Sequence, residues 1–490
     1  MNLKNALSNE SNWTQTENDA DALKSTQNSL VDLFGVIGAL RTRTGDVENL
    51  FIKAFYENKL LATKMSFYAR NVRGGLGERS VSKIIWKYLA NNYSDIMIKN
   101  INIIPLFGRW DDLYEFVGTP VEKYMWELIR NQLKEDLENF TSGNSISLLA
   151  KWMKSINASS TETNRLGKLT AKNLGYSEQE YRKMLKTLRD HINIVESKMS
   201  NNQWSEIDYR SVPSKAMMNY RKSFSKHDLE RFGKFIEKVE TGEEKINSST
   251  LYPYDIFEKM GLAEKYGGRS QSFYFTSPDK VLEAQWKALP NYFVDGDVLV
   301  MADTSGSMQG RPIAISLGLA VYCAEHNSGQ FKDSFITFSS RPSFVKLVGN
   351  TLAEKIRNVP AIVENTNIES AFNLVLNAAK ENKVSSEDMP KAIIIISDME
   401  FDRCSGYRMT FYDAMKLKFE NAGHKIPDIL FWNVNSRQNV FHAFSEYKGV
   451  QLASGSSPSV FSSIIKNLGM NPYEAMLNVL NDEVYNVVVI

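Results

Sequence analysis

Cysteine is nearly absent. Two thiols in 490 residues, Cys323 and Cys404, cannot build a disulfide framework or a four-thiolate zinc site, and they fit a reducing compartment. Histidine is also sparse, at five residues. His326 reads as packing or surface, and His424 and His442 have no companion at ligand spacing. Charge of one sign is missing too: the formal net charge is +1, so any nucleic-acid surface must be local. No apolar run reaches the length of a membrane span, and the opening "MNLKNALSNESNWTQTENDAD" lacks the apolar core of a signal peptide. The expectation is a soluble chain with no membrane contact, placed in the cytoplasm, or the host cytoplasm if phage-encoded. There is no Gly-rich GK[ST] loop, no HExxH and no paired base, which favours binding over catalysis; the chain is read as not an enzyme.

What is present is an ordinary globular balance, 43% apolar and 23% charged, in a chain long enough for two domains. Up to about Tyr292 the apolar residues recur at helical spacing. "LVDLFGVIGALR", "DVENLFIKAFYENKLLATKMSFYARNV", "SVSKIIWKYLANN", "PVEKYMWELIRNQLKEDLENF" and "HDLERFGKFIEKVETG" read as successive amphipathic helices. Many helices in series without heptads predict an all-α layered array or solenoid over 1–292. From Phe293 the pattern changes. "DVLVMA", "SFITFS", "KAIIIIS", "PDILFWNVN" and the terminal "EVYNVVVI" read as strands, separated by helices such as "IAISLGLAVYCAEHN" and "IESAFNLVLNAAKEN". Continuous apolar strands between helices predict a doubly wound α/β domain over 293–490, with binding residues at the carboxyl ends of its strands.

Asp303 ends the first of those strands, and Ser305 and Ser307 follow in "DTSGS". Asp398 ends "AIIIISD", and Thr366 precedes a helix in "VENTNIESA". All three segments point to one edge of a parallel sheet. Hard oxygen ligands converging there suit Mg²⁺, or Mn²⁺. Taken singly, each residue is also a cap or a loop hydroxyl. Glu400 and Asp402 sit near this edge, either tuning the site or shaping its loop, and Cys323 reads as core.

Two features carry positive charge. "ARNVRGGLGERS" sets Arg70, Arg73 and Arg79 around Gly74, Gly75 and Gly77; this is either a phosphate cradle or a tight turn braced by arginines. In "IPLFGRWDDLYEF", Trp110 and Leu113 read as core and Asp112 as a local partner for an arginine. Residues 151–230 hold 15 lysines and arginines against 9 aspartates and glutamates, an excess of 6. Arg182, Lys183, Lys186, Arg189, Lys215, Arg221 and Lys222 lie in this stretch, interleaved with Tyr181, Tyr209 and Tyr220. Such a face can neutralise phosphates while aromatics stack unpaired bases; the alternative is a solvated face.

The DxSxS, Thr and Asp pattern resembles the metal-ion-dependent adhesion site of von Willebrand factor A domains. The resemblance implies that Asp303, Ser305, Ser307, Thr366 and Asp398 hold the ion and leave a position open for a partner's Asp or Glu. The whole order of elements resembles the Ro/TROVE superfamily of RNA-binding proteins. "RNVRGGLGERS", "GRWDDL", "YRKMLKTLRDHINIVE", "IDYRSVPSKAM", "FSKHDLERF" and "DTSGSM" are most similar to the domain of unknown function 2828 group. That likeness implies a HEAT-like helical array or ring closed by an A domain, an RNA partner, and a non-enzymatic scaffold. Two other functions stay open: a protein-interaction or phage/bacterial assembly module built on the metal site, and a metal-dependent phosphohydrolase or nuclease.

Overall fold

A computed structural model describes residues 10–268, 270–293, 296–404 and 409–490. Among them, helices of eight residues or more are α1 (Ser29–Val36), α2 (Val47–Glu57), α3 (Lys59–Arg70), α4 (Arg79–Asn92), α5 (Glu122–Thr141), α6 (Thr161–Leu174), α7 (Glu178–His191), α8 (Ser214–His227), α9 (Leu229–Thr241), α10 (Pro253–Met260), α11 (Lys280–Lys287), α12 (Arg311–His326), α13 (Ile368–Glu381), α14 (Phe411–Asn421) and α15 (Pro472–Leu480). Their starts are written in the sequence: Asn28, Asn58, Ser160 and Ser177 each accept a backbone N–H of the first turn.

The strands are β1 (Trp13–Gln15), β2 (Asp21–Leu23), β3 (Leu262–Gly267), β4 (Ser270–Phe275), β5 (Val298–Asp303), β6 (Ser334–Phe338), β7 (Ser343–Lys346), β8 (Ala392–Ser397), β9 (Asp428–Asn433) and β10 (Val450–Ser454). β5 to β10 form one sheet in the order β10-β9-β8-β5-β6-β7, parallel except for β7 at the edge. β5, β6 and β8 are buried at every residue, as a sheet covered on both faces requires. Phe431 packs toward Phe411 of α14, while its neighbour Trp432 meets Phe461 on the other face. Phe461 in turn stacks on Tyr322 of α12.

The first 292 residues are largely helical but not wholly so, because β1–β2 and β3–β4 are antiparallel hairpins within them. The terminal "EVYNVVVI" is not a strand. Glu483–Tyr485 makes one 3₁₀ turn, and the run then lies along the helical half. The Val489 N–H donates to Asn100 Oδ1 at 3.0 Å, and Asn100 Nδ2 donates to the Val489 carbonyl at 2.6 Å. A side-chain amide thus replaces the missing strand partner.

All of the six-stranded sheet lies after residue 293, yet residues before 292 complete its core. One apolar cluster runs from Ala20 through the sheet to Val488, and a smaller one spans Val195 to Ala284. Gly38 shows how close the two halves come: a Cβ there would stand 2.5 Å from the Ser454 carbonyl oxygen at the end of β10.

Candidate metal centre and basic surfaces

The strand order reverses between β5 and β8, so the chain leaves their carboxyl ends in opposite directions. A crevice opens at such a point. Asp303 ends β5 and Asp398 follows β8, and both are fully buried. The Ser305 N–H donates to Asp303 Oδ1 at 2.8 Å, and Ser397 Oγ donates to Asp303 Oδ2 at 2.5 Å. Ser305 Oγ and Ser307 Oγ are 3.2 Å apart. Two backbone links bring in the third segment: the Gly306 N–H donates to the Glu364 carbonyl at 3.1 Å, and the Asp402 N–H donates to the Thr366 carbonyl at 3.0 Å. Thr366 is thereby held beside the β8 loop. Met399, inside that loop, takes a left-handed φ of 68°, a costly conformation for a side chain of its size.

The electrostatics are those of several carboxyls buried close together. Burial, and then the charge of Asp398, raises the Asp303 carboxyl above the ordinary range. Burial raises Asp398, Glu400 and Asp402 as well. Among the described residues no ion pair reaches Asp303, Asp398 or Glu400. Asp398 Oδ2, Glu400 Oε1 and Ser339 Oγ are buried without a hydrogen-bond partner. Orphaned acceptors at this density fit a hard cation better than a closed polar network. Among the described residues no three His, Cys, Asp or Glu side chains cluster to hold a metal, so a cation here relies on hydroxyls beside two carboxylates.

His442, read from the sequence as isolated, is buried behind the site, with Nε2 2.9 Å from the Met399 carbonyl. Burial pulls its imidazole down to about 4, so the ring is neutral. Cys323 is core, as expected, and burial raises its thiol.

The cations named from the sequence divide by burial. Arg70 is an interior ion pair and not a phosphate ligand: its side chain is 2% exposed and its Nη2 is 2.7 Å from Asp112 Oδ2. Arg221, 8% exposed, is likewise committed to Asp279 at 2.6 Å. Arg189 donates to the Ala150 and Met153 carbonyls and to Ser155 Oγ, which ties α7 to the segment 150–155 ahead of α6. Arg79 braces Asp111 and Asp112, Lys186 pairs with Asp190, and Lys215 pairs with Asp255. The Gly-rich stretch is therefore a braced turn, with Arg73 at its surface donating to the Leu106 carbonyl. Arg182, Lys183 and Lys222 are exposed and make no ion pair among the described residues. Sequence reading did not single out Arg109, which lies 4.5 Å over the Trp152 ring without a carboxylate in ion-pair contact among the described residues. Burial and then Arg70 lower its guanidinium from the ordinary value.

The family described as "Domain of unknown function (DUF2828)" matches residues 16–128 and 158–295. The chain belongs to this family. Its remaining part, residues 297–485, matches a second family described as "Domain of unknown function (DUF7788)". An uncharacterised protein of Acanthamoeba polyphaga mimivirus is 28% identical to this DUF2828 chain over 98% of its length and 89% of that protein. A solved structure, the Ro (RSR) protein of Deinococcus radiodurans, is 12% identical, with a TM-score of 0.47 over 90% of this chain and 99% of that one. In the DUF2828 chain no described helix is long and apolar enough to cross a membrane.

Proposed function

We propose that this DUF2828 chain is a non-enzymatic binding scaffold. Its C-terminal half is a von Willebrand factor A-like domain that holds Mg²⁺, or Mn²⁺, through Asp303, Ser305, Ser307, Thr366 and Asp398. The observation that carries the reading is the burial of Asp303 and Asp398 at a strand switch point, with no basic side chain in ion-pair contact with either among the described residues and Asp398 Oδ2 unsatisfied. The antiparallel edge strand β7 and the spacing of the five residues support the A-domain assignment. With few charged ligands, the ion stays electrophilic enough to take an outside carboxylate. The test is Mn²⁺ binding followed by electron paramagnetic resonance. The parent chain takes up one equivalent, and Asp303→Ala takes up none. Equal uptake by both, or none by the parent, overturns the metal reading. Mg²⁺-dependent turnover of RNA or phosphate esters, lost in Asp303→Ala, overturns the non-enzymatic part.

RNA is the second ligand, bound by the helical half. Arg182, Lys183 and Lys222, exposed and free of ion pairs among the described residues, support this, as does half-buried Arg109. Phosphate contacts make affinity fall with salt. Reversing the three surface cations to glutamate flattens the plot of log affinity against log salt for a single-stranded RNA. An affinity that ignores both salt and these substitutions refutes RNA binding.

A further inference from the structure

We infer that the resident occupant of the metal edge is the chain's own first hairpin. The turn between β1 and β2, Glu17 to Asp19, covers the Thr366 and Glu400 side of the site and shields it from water. The inference rests on the metal reading above and adds the identity of the cover.

The contacts are specific and come from a segment some 380 residues away in sequence. Thr16 Oγ1 donates to the Phe401 carbonyl at 2.7 Å, in a buried contact. The Glu17 N–H donates to Glu400 Oε2 at 2.7 Å. Asn18 Nδ2 donates to the Glu400 carbonyl at 2.6 Å and reaches Thr366 Oγ1 at 3.4 Å. Asp19, at a left-handed φ of 62°, bridges to Asp402 along the backbone. The Glu17 carboxylate is 2.8 Å from Arg437, and Gln438 Nε2 donates to Glu400 Oε2 at 2.9 Å.

A hairpin of two three-residue strands has little stability of its own, so these contacts place it. They satisfy the outer oxygens of the β8 loop. They leave Asp398 Oδ2 and Glu400 Oε1 buried without partners. The turn therefore does not seal a finished network; it lies over an unfinished polar one that a cation completes. Ser307 is only half-buried and Gly306 is exposed, so the β5 side stays open. An acidic partner entering over Thr366 has to displace Asn18.

The test measures how much water reaches a bound ion in the full chain. Mn²⁺-loaded parent, Asn18→Ala and Arg437→Gln proteins are compared by water-proton relaxation per bound ion, with Asp303→Ala as the unloaded control. Loosening the turn lets further water onto an ion that already keeps some, so relaxivity rises, roughly doubling if one water becomes two. Arg437→Gln frees Glu17 without touching Thr366 and gives the same direction of change, so the result does not depend on one variant folding. Mn²⁺ bound in an Asp303-dependent way with the same relaxivity in all three proteins overturns the hairpin as cover and leaves the metal reading intact. No Mn²⁺ binding to the parent overturns both.

Discussion

At the scale of single residues, burial decides what a charge does. Asp112 is inaccessible and holds Arg70, Arg79 and, at 3.9 Å, Lys83. Those cations keep its carboxyl below the ordinary range despite its burial. Asp112→Ala strands the Arg70 guanidinium in the interior and is expected to cost about 3–5 kcal/mol in urea unfolding. Arg79→Ala, at a side chain 41% exposed, is expected to cost under about 1 kcal/mol. His442 carries a pH signature. Its folded pKa, about 4, lies below the ordinary imidazole value of about 6.5. The unfolded chain thus takes up the proton first, and the contribution of neutral His442 is present above pH 6.5 and lost as pH falls toward 4. The raised carboxyls of Asp303 and Asp398 act in the opposite direction, so the measurement is the difference between parent and His442→Phe across that window. The parent loses more stability on acidification, by roughly 3 kcal/mol at most.

At the scale of elements, contacts between segments far apart in sequence decide where the sheet ends and the helices begin. The 3₁₀ segment Ile37–Thr42 that follows α1 reaches β10 through Gly38, whose N–H donates to Ser454 Oγ at 2.9 Å. Gly38→Ala puts a methyl carbon against the Ser454 backbone and is expected to lower stability by about 1–3 kcal/mol, read as a fall in the thermal midpoint. The same distance in sequence explains what could be read from residues alone. β5 and β8 were legible because each is built on an unbroken apolar run, and Asp303 and Asp398 followed from their positions, at the end of β5 and just after β8. Thr366 was legible from its place before α13. β7 is short and half exposed, β10 carries Gln451 and a terminal serine, and neither has a pattern that separates it from a loop. Asp112 was legible as an arginine partner because the two motifs are short and close. Arg221 was not, since Asp279 lies 58 residues on. Glu17 and Asn18 had no local signal, because their chemistry exists only where the hairpin meets the β8 loop.

At the scale of the whole molecule, the change of periodicity near 293 marks a change of architecture without a break in packing. The Leu23 N–H donates to the Phe441 carbonyl and the Leu23 carbonyl accepts from the Phe441 N–H, each at 2.9 Å. α1 lies with Gly35 against Leu452 of β10 and Phe441. At the other end of the chain, Tyr485 packs against Tyr68 and Phe107 of the helical half. The α/β half therefore borrows its covering from residues 13–40, and the helical half borrows residues 485–489. A cut between 292 and 293 leaves both fragments with apolar surface that only the other covers. Residues 293–490 expressed alone are expected to bind a hydrophobic dye and lack the near-ultraviolet dichroism of the intact chain. Adding residues 1–292 in trans should restore the signal, because the contacts are non-covalent. Unfolding of the intact chain is expected to show α1, the sheet and the carboxyl tail losing protection together in hydrogen exchange, with the Val195–Ala284 cluster free to open separately. A fragment 293–490 that is monomeric and natively packed by itself overturns the covering role of residues 13–40.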